Sequence, residues 1–226
     1  MTKFPSTPFK TSNRETLKLW RKDPVTFIQD VLRNPETGQP FQLYSEQEQF
    51  IREAMTLTKD GRLKYPELLF SAPKKSGKTA LAAMITLYVV VVLGGRYAEG
   101  YCVANDLEQA QSRVFQALGR IIEASPLLKD SARILSNKIE FPATGATITA
   151  LASDYRGAAG PNPTITVFDE LWGYTSENAV RLWDELIPVP TRKISCRLTT
   201  TYAGFAGESE LLEKLYERGL KGEKVA

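Results

Sequence analysis

The amino-acid sequence predicts an α/β fold in which a mostly parallel sheet is flanked by helices, with a small helical subdomain in front of it. Three observations predict this fold. After residue 61, short apolar runs alternate with helical segments, as in strand–helix–strand units. A Gly-Lys-Thr sequence at 77–79 lies between one such run and a long apolar helix. Residues 13–58 instead carry three helical patterns.

The N-terminal part is expected to consist of an arm and three helices. Residues 1–13 are rich in Pro, Ser and Thr and predict an irregular arm. Two helices are expected within residues 13–32. A third is expected over about 45–58, where Ser45 and Glu48 have the spacing of a capping box.

The sheet and its helices are expected to follow. The predicted strands are 68–70, 101–104, 139–141, 147–151, 165–168 and 196–200, and the predicted helices run from the Gly-Lys-Thr sequence through Val92, over 107–124 and over 178–186. The strands at 139–141 and 147–151 are expected to form a hairpin. The expected domains are an arm and helical subdomain at 1–60, a core at 61–210, and a C-terminal helix or linker at 211–226.

Composition excludes several classes of site. The 226 residues include no histidine, so histidine triads, histidine metal sites and histidine general bases are excluded. The two cysteines are far apart and form no zinc-binding pattern. The apolar run at 80–93 is too short for a transmembrane helix. Residues 1–5 carry proline and polar residues where a signal peptide would need an apolar stretch, so a cytoplasmic location is expected. The net charge of +3 is too small to indicate a nucleic-acid partner.

The strongest chemical signal is a phosphate-binding loop. Its expected ATP-binding residues are Ala72, Pro73, Lys74, Lys75, Ser76, Gly77, Lys78 and Thr79. Loop amides and the start of the following helix would hold the phosphates. Gly77 allows close approach of the backbone, Lys78 would reach the β- and γ-phosphates, and the Thr79 hydroxyl would bind Mg²⁺. Ala72 departs from the usual pattern, which has glycine at that position.

A second signal is the acid pair at the end of the 165–168 strand. Asp169 would hold the Mg²⁺ with its water shell, and Glu170 would orient and polarise the attacking water. Two consecutive acids are typical of the ASCE type of P-loop NTPase, which hydrolyses ATP, rather than of kinase-like P-loop proteins. ATP and Mg²⁺ are therefore the expected cofactors.

Two weaker signals flank these motifs. Gln47 could read the adenine edge, with Tyr44 stacking on the ring, although Gln42 and Gln49 compete for the first role. Thr200 and Thr201 end the last predicted strand, where a hydroxyl could sense the γ-phosphate or the water; threonines are also good strand formers.

The chain resembles the large terminase subunits of bacteriophages over roughly residues 20–220. The similarity lies in the loop at 72–79, in Arg156 and Gly157 ahead of the acid pair, in the 169–173 segment, and in the 200–204 segment with the helix after it. That family usually has arginine where Lys74 stands, so Lys74 is expected to act within its own subunit.

The resemblance implies that ATP hydrolysis drives double-stranded viral DNA into a procapsid. It implies a homo-oligomeric ring on the capsid portal protein, a small terminase subunit as partner, and work in the cytoplasm of an infected bacterium, with no membrane partner; in isolation the chain could be a monomer. It also implies an arginine that reaches the neighbouring subunit's ATP. Arg156 is the expected residue, with Arg133 and Arg113 as alternatives. Because the family's nuclease domain would begin near residue 226, no nuclease activity is expected.

Two other functions fit the motifs less well. A helicase-like or other nucleic-acid remodelling ATPase would need a second core domain. A nucleotide-gated assembly module that binds ATP without hydrolysing it would be expected to lack the second acid, whereas this sequence has Glu170.

Overall fold

Seven strands form one sheet within the residues that the computed structural model describes, which are 14–104, 113–152, 162–204 and 207–222. The strands are β1 (Glu67–Ser71), β2 (Glu99–Ala104), β3 (Arg133–Ile134), β4 (Lys138–Phe141), β5 (Ala146–Ala152), β6 (Ile165–Asp169) and β7 (Cys196–Thr201). The six predicted strands are confirmed. The two-residue strand β3 was not predicted.

The sheet is mostly parallel, as expected. Its order is β1-β7-β6-β2-β5-β4-β3. The first five strands in this order pair parallel to one another, and β4 pairs antiparallel with β5 and β3. The predicted hairpin is therefore present, and it extends the main sheet through β5. Because β1, β7 and β6 are neighbouring parallel strands, their carboxyl ends meet at one edge of the sheet.

Eight helices are present among the described residues. They are α1 (Arg14–Lys22), α2 (Pro24–Val31), α3 (Ser45–Ala54), α4 (Lys78–Tyr88), α5 (Arg113–Ala124), α6 (Pro126–Lys129), α7 (Glu177–Glu185) and α8 (Glu210–Lys221). A π-helical turn, Val89–Leu93, continues α4, and a 3₁₀ turn, Leu171–Gly173, follows β6. The turn at 171–173 and α6 were not predicted, and residues 107–112 of the expected 107–124 helix lie outside the described residues.

Two details predicted for α3 were wrong. The helix ends at Ala54 rather than near residue 58, because the chain that follows is paired: Lys64 N–H donates to Thr56 O, and Thr58 N–H donates to Arg62 O. The capping interaction lies one residue earlier than predicted. Gln47 Oε1, and not Glu48, accepts the N–H of the residue before the helix, at 3.1 Å.

The N-terminal helices share one hydrophobic cluster with α4. Phe27 of α2 lies between Trp20 of α1 and Tyr88 of α4, with ring centroids 5.9 and 5.6 Å away. These contacts fix α1 and α2 against the helix that begins at the phosphate loop. None of the helices among the described residues is long and apolar enough to cross a bilayer.

A buried ion pair joins β1 to β7. The Arg197 guanidinium makes two 2.7 Å hydrogen bonds to the Glu67 carboxylate, donates to Trp183 O at 2.6 Å, and lies 3.5 Å from the centroid of the Trp183 ring. Only 6% of the Arg197 side chain and 13% of the Glu67 side chain are exposed. Removing one partner would leave the other charge buried without compensation.

We therefore expect Glu67→Ala to lower the free energy of unfolding by about 3–5 kcal/mol, which lowers the melting temperature by on the order of 10 °C for a domain of this size. Glu177→Ala is the matched control, since it removes the exposed Glu177–Arg181 pair of 2.6 Å and should leave the melting temperature almost unchanged. Equal shifts in thermal unfolding of the two variants would contradict a stabilising role for the buried pair.

Candidate active site

The phosphate loop runs from the end of β1 to the start of α4. Its backbone takes the left-handed conformation at Lys75 (φ 67°) and at Gly77 (φ 80°). Gly77 is the N-cap of α4, and Lys78 is the first helical residue. The loop therefore ends at the N-terminus of α4, where the positive end of the helix dipole and the first helical amides favour phosphate binding.

Lys78 is held inside this loop. Its side chain is 5% exposed, and Nζ donates to the carbonyl oxygens of Ala72 and Pro73, both at 3.0 Å. The same ammonium lies 3.9 Å from Glu170 Oε1. One cation thus lies between the loop and the acid pair.

The donor groups around Lys78 fit a phosphate with Mg²⁺. The Ser76 hydroxyl oxygen is buried and has no hydrogen-bond partner among the described residues, and a phosphate oxygen would satisfy it. Thr79, the second residue of α4, supplies the hydroxyl expected on Mg²⁺. Mg²⁺ usually takes one or two protein oxygens together with water and phosphate oxygens, which agrees with a set of Thr79 and Asp169.

Asp169 ends β6, a strand in which all five residues are buried. Thr200, its neighbour on β7, donates its hydroxyl to Asp169 Oδ1 at 2.7 Å. Burial raises the pKa of the Asp169 carboxyl and the charge of Glu170 adds to this effect, whereas the Thr200 bond and the charges of Arg113 and Lys78 oppose it. A buried carboxylate of this kind gains from a metal ion.

Glu170 leaves the sheet immediately after Asp169. Its backbone is left-handed, with φ 55° and ψ 54°, and its N–H donates to Thr200 O at 2.7 Å. One carboxylate oxygen faces Lys78, as described above. The other, Oε2, accepts a hydrogen bond of 3.0 Å from the indole of Trp172. Trp172 had no role in the sequence prediction.

Gln47 binds the phosphate loop from α3. Its Nε2 donates to Ser76 O at 3.2 Å, while its Oε1 accepts the N–H of Tyr44. These bonds use one of the two N–H groups and one of the two oxygen lone pairs of the amide, so one donor and one acceptor are left over for an adenine edge. Tyr44 is 73% exposed beside it, and its ring is accessible for stacking.

Residues 61–213 match the family of terminase large subunit ATPase domains. The chain belongs to this family. Among solved structures, the large terminase of bacteriophage HK97 aligns with a TM-score of 0.73 and 20% identity over 90% of this chain. The large terminase ATPase domain of Thermus phage P74-26 aligns with a TM-score of 0.46 and 12% identity, over 71% of this chain and 65% of its own.

This terminase ATPase domain spans 42% of the HK97 large terminase. At 20% identity, the likeness to that structure concerns the fold. No curated protein matches the chain.

The end of β7 brings a further aromatic residue to the terminase site. The Thr201 hydroxyl donates to Tyr202 O at 2.9 Å, whereas Thr200 binds Asp169. The Tyr202 ring has Lys74 Nζ 4.7 Å and Lys78 Nζ 5.8 Å from its centroid. The side chain of Lys74, a residue of the phosphate loop, therefore lies over the Tyr202 ring of its own chain. The sequence prediction gave Tyr202 no role at the site. The signal that could have indicated one is the aromatic residue directly after Thr200 and Thr201 at the end of a strand.

Two of the three candidate arginines can be placed relative to the site. Arg156 lies outside the described residues. Arg113 lies in α5, and its charge opposes the rise that burial causes in the pKa of Asp169 in the same chain. Arg133 is exposed on β3, at the far edge of the sheet from β1. Arg113 is thus electrostatically coupled to the site of its own subunit, whereas Arg133 is separated from it by most of the sheet.

Proposed function

We propose that this chain hydrolyses ATP with Mg²⁺ and that hydrolysis drives double-stranded DNA into a procapsid. The observation that carries the proposal is the position of Glu170, with one carboxylate oxygen 3.9 Å from the buried Lys78 ammonium. A water that attacks the γ-phosphate needs a general base close to the cation that binds the phosphates, and the Glu170 carboxylate lies there. Membership of the terminase ATPase family supports the same activity.

Each side chain then has a chemical role. Lys78 exchanges its bonds to the Ala72 and Pro73 carbonyls for the β- and γ-phosphates. Thr79 and Asp169 would hold Mg²⁺, which when bound would neutralise phosphate charge. Glu170 orients and polarises the water, and Thr200 keeps the Asp169 carboxylate in place.

The partners follow from the family. We propose a homo-oligomeric ring that binds double-stranded DNA, docks on the capsid portal protein and works with a small terminase subunit in the host cytoplasm. The N-terminal region, with Tyr44 and Gln47, would form one side of the adenine site, and Lys74 would act on phosphate within its own subunit.

Glu170→Gln tests the chemistry. The amide keeps the shape of the side chain but loses the charge that polarises water, so turnover should fall by about 10²-fold or more while ATP binding persists. Phosphate release and nucleotide affinity measured side by side give the comparison. Glu210→Gln changes an exposed carboxylate of α8; it is the matched control and should keep wild-type turnover.

Two results would contradict this assignment. Wild-type turnover in Glu170→Gln would mean that another group is the base. ATP binding without hydrolysis in the wild-type chain, at every protein concentration and with DNA present, would instead favour a nucleotide-gated assembly module.

A further inference from the structure

The two carboxylate oxygens of Glu170 have different neighbours. Oε1 faces Lys78, where the phosphate is expected, whereas Oε2 accepts the Trp172 indole N–H at 3.0 Å. An indole N–H only donates, so this bond leaves the negative charge of Glu170 in place and directs Oε1 toward the reaction.

The local backbone produces this contact. Because Glu170 is left-handed, the chain turns sharply after β6 into the 3₁₀ turn, where Gly173 N–H donates to Glu170 O at 3.1 Å. Residues two apart do not face each other in a regular helix, and in this turn the Trp172 side chain reaches back to Glu170. A left-handed non-glycine residue is strained by about 1–3 kcal/mol and is common at functional sites.

The Trp172 ring is itself held in place. Its centroid lies 5.3 Å from that of Tyr202, at an interplanar angle of 43°, and Trp172 shares the wall of a cavity with Leu212 and Tyr216 of α8. The Tyr216 and Ser71 hydroxyls lie 2.5 Å apart, which ties α8 to the end of β1. The indole therefore rests on elements that also border the phosphate loop.

We propose that Trp172 is a positioning residue that holds Glu170 in its catalytic orientation through the indole N–H. This inference rests on the proposed function, since it assigns Trp172 a task only if Glu170 activates water. The bond leaves the Glu170 carboxylate ionised and restricts the rotation of its side chain. Such preorganisation acts on the chemical step and leaves the affinity for ATP unchanged.

The first test is Trp172→Phe, which keeps an aromatic ring against Tyr202 and removes only the donor. We expect kcat to fall by roughly 10- to 100-fold, the rate equivalent of a hydrogen bond to a charged group, with KM and the dissociation constant for ATP unchanged. Trp20→Phe is a matched control, because Trp20 Nε1 donates to Asp30 Oδ2 at 2.8 Å away from the site. Its turnover should equal that of the wild type.

A second variant separates hydrogen bonding from packing. Trp172→His restores an N–H donor on a smaller ring, so it should be faster than Trp172→Phe if the bond matters, and slower if packing alone matters. Melting temperatures of both variants check that each is folded.

The Glu170→Gln background completes the test. The amide of Glu170→Gln carries no charge to polarise water, so orienting this side chain should no longer matter, and Trp172→Phe should change the residual turnover of Glu170→Gln little. A general structural defect would instead slow the wild-type and Glu170→Gln backgrounds by the same factor. Three outcomes would overturn the role of Trp172 alone. They are equal slowing in both backgrounds, a rise in KM that accounts for the effect, and wild-type turnover in Trp172→Phe when Glu170→Gln is slow. Wild-type turnover in Glu170→Gln removes the role of Glu170, and with it that of Trp172. Absence of ATP hydrolysis in the wild-type chain, with DNA present, overturns the proposed function itself.

Discussion

Lys78→Ala is expected to abolish measurable ATP hydrolysis, a loss of about 10³-fold or more, and to weaken nucleotide binding. Nζ lies at the start of α4 between two loop carbonyls and Glu170, so it is already poised where the phosphates would enter. Alanine removes the cation that compensates the charge developing on the transferred phosphate, and the loop amides alone cannot replace it.

Controls separate this loss from unfolding. Lys59→Ala removes an exposed lysine outside the site and should leave both phosphate release and nucleotide affinity unchanged. Lys78→Arg keeps the charge but changes its geometry, so it should remain strongly impaired. Turnover of Lys78→Ala at the wild-type level, in a sample with a normal melting temperature, would disprove the assignment of the phosphate loop.

Arg156→Ala is expected to lower ATP turnover by roughly 10³- to 10⁵-fold, the range typical of an arginine supplied by a neighbouring subunit, without changing ATP affinity. The expectation rests on the resemblance to terminases and on the sequence, in which Arg156 precedes the strand that carries Asp169. If the arginine acts between subunits, wild-type specific activity should rise with protein concentration. Phosphate release measured over a dilution series, with and without double-stranded DNA, checks this dependence.

The decisive experiment mixes two inactive proteins. Arg156→Ala keeps its Glu170 and Glu170→Gln keeps its Arg156, so a mixed assembly contains some interfaces with both groups intact and should recover part of the activity. No recovery in a demonstrably mixed assembly, or a specific activity independent of concentration, would contradict action between subunits.

The structure indicates where the role would then move. Lys74, a residue of the phosphate loop whose ammonium lies over the Tyr202 ring, is positioned to act within one chain, and Arg113 of α5 is the second candidate. Arg133 is exposed on the edge strand β3, and it is the alternative to Arg156 if activity depends on assembly but Arg156→Ala stays active. Single alanine variants at these three positions, assayed in the same dilution series, would distinguish them.

The parts of the candidate site that are contiguous in the chain could be predicted from the amino-acid sequence. The loop at 72–79 and the acid pair Asp169–Glu170 were recognised because each is specified by consecutive residues next to a strand. The alternation of apolar runs and helical segments was likewise sufficient to predict a mostly parallel sheet, since each strand and helix carries its own periodicity.

Tertiary structure decided how these parts act on one another. Thr200 reaches Asp169 because β7 is inserted between β1 and β6, and Gln47 binds Ser76 because α3 packs beside the loop. The contact between Trp172 and Glu170 spans only two residues, yet it depends on a left-handed turn after β6. Such contacts depend on strand order, packing and backbone turns, none of which is encoded in a local pattern of residues.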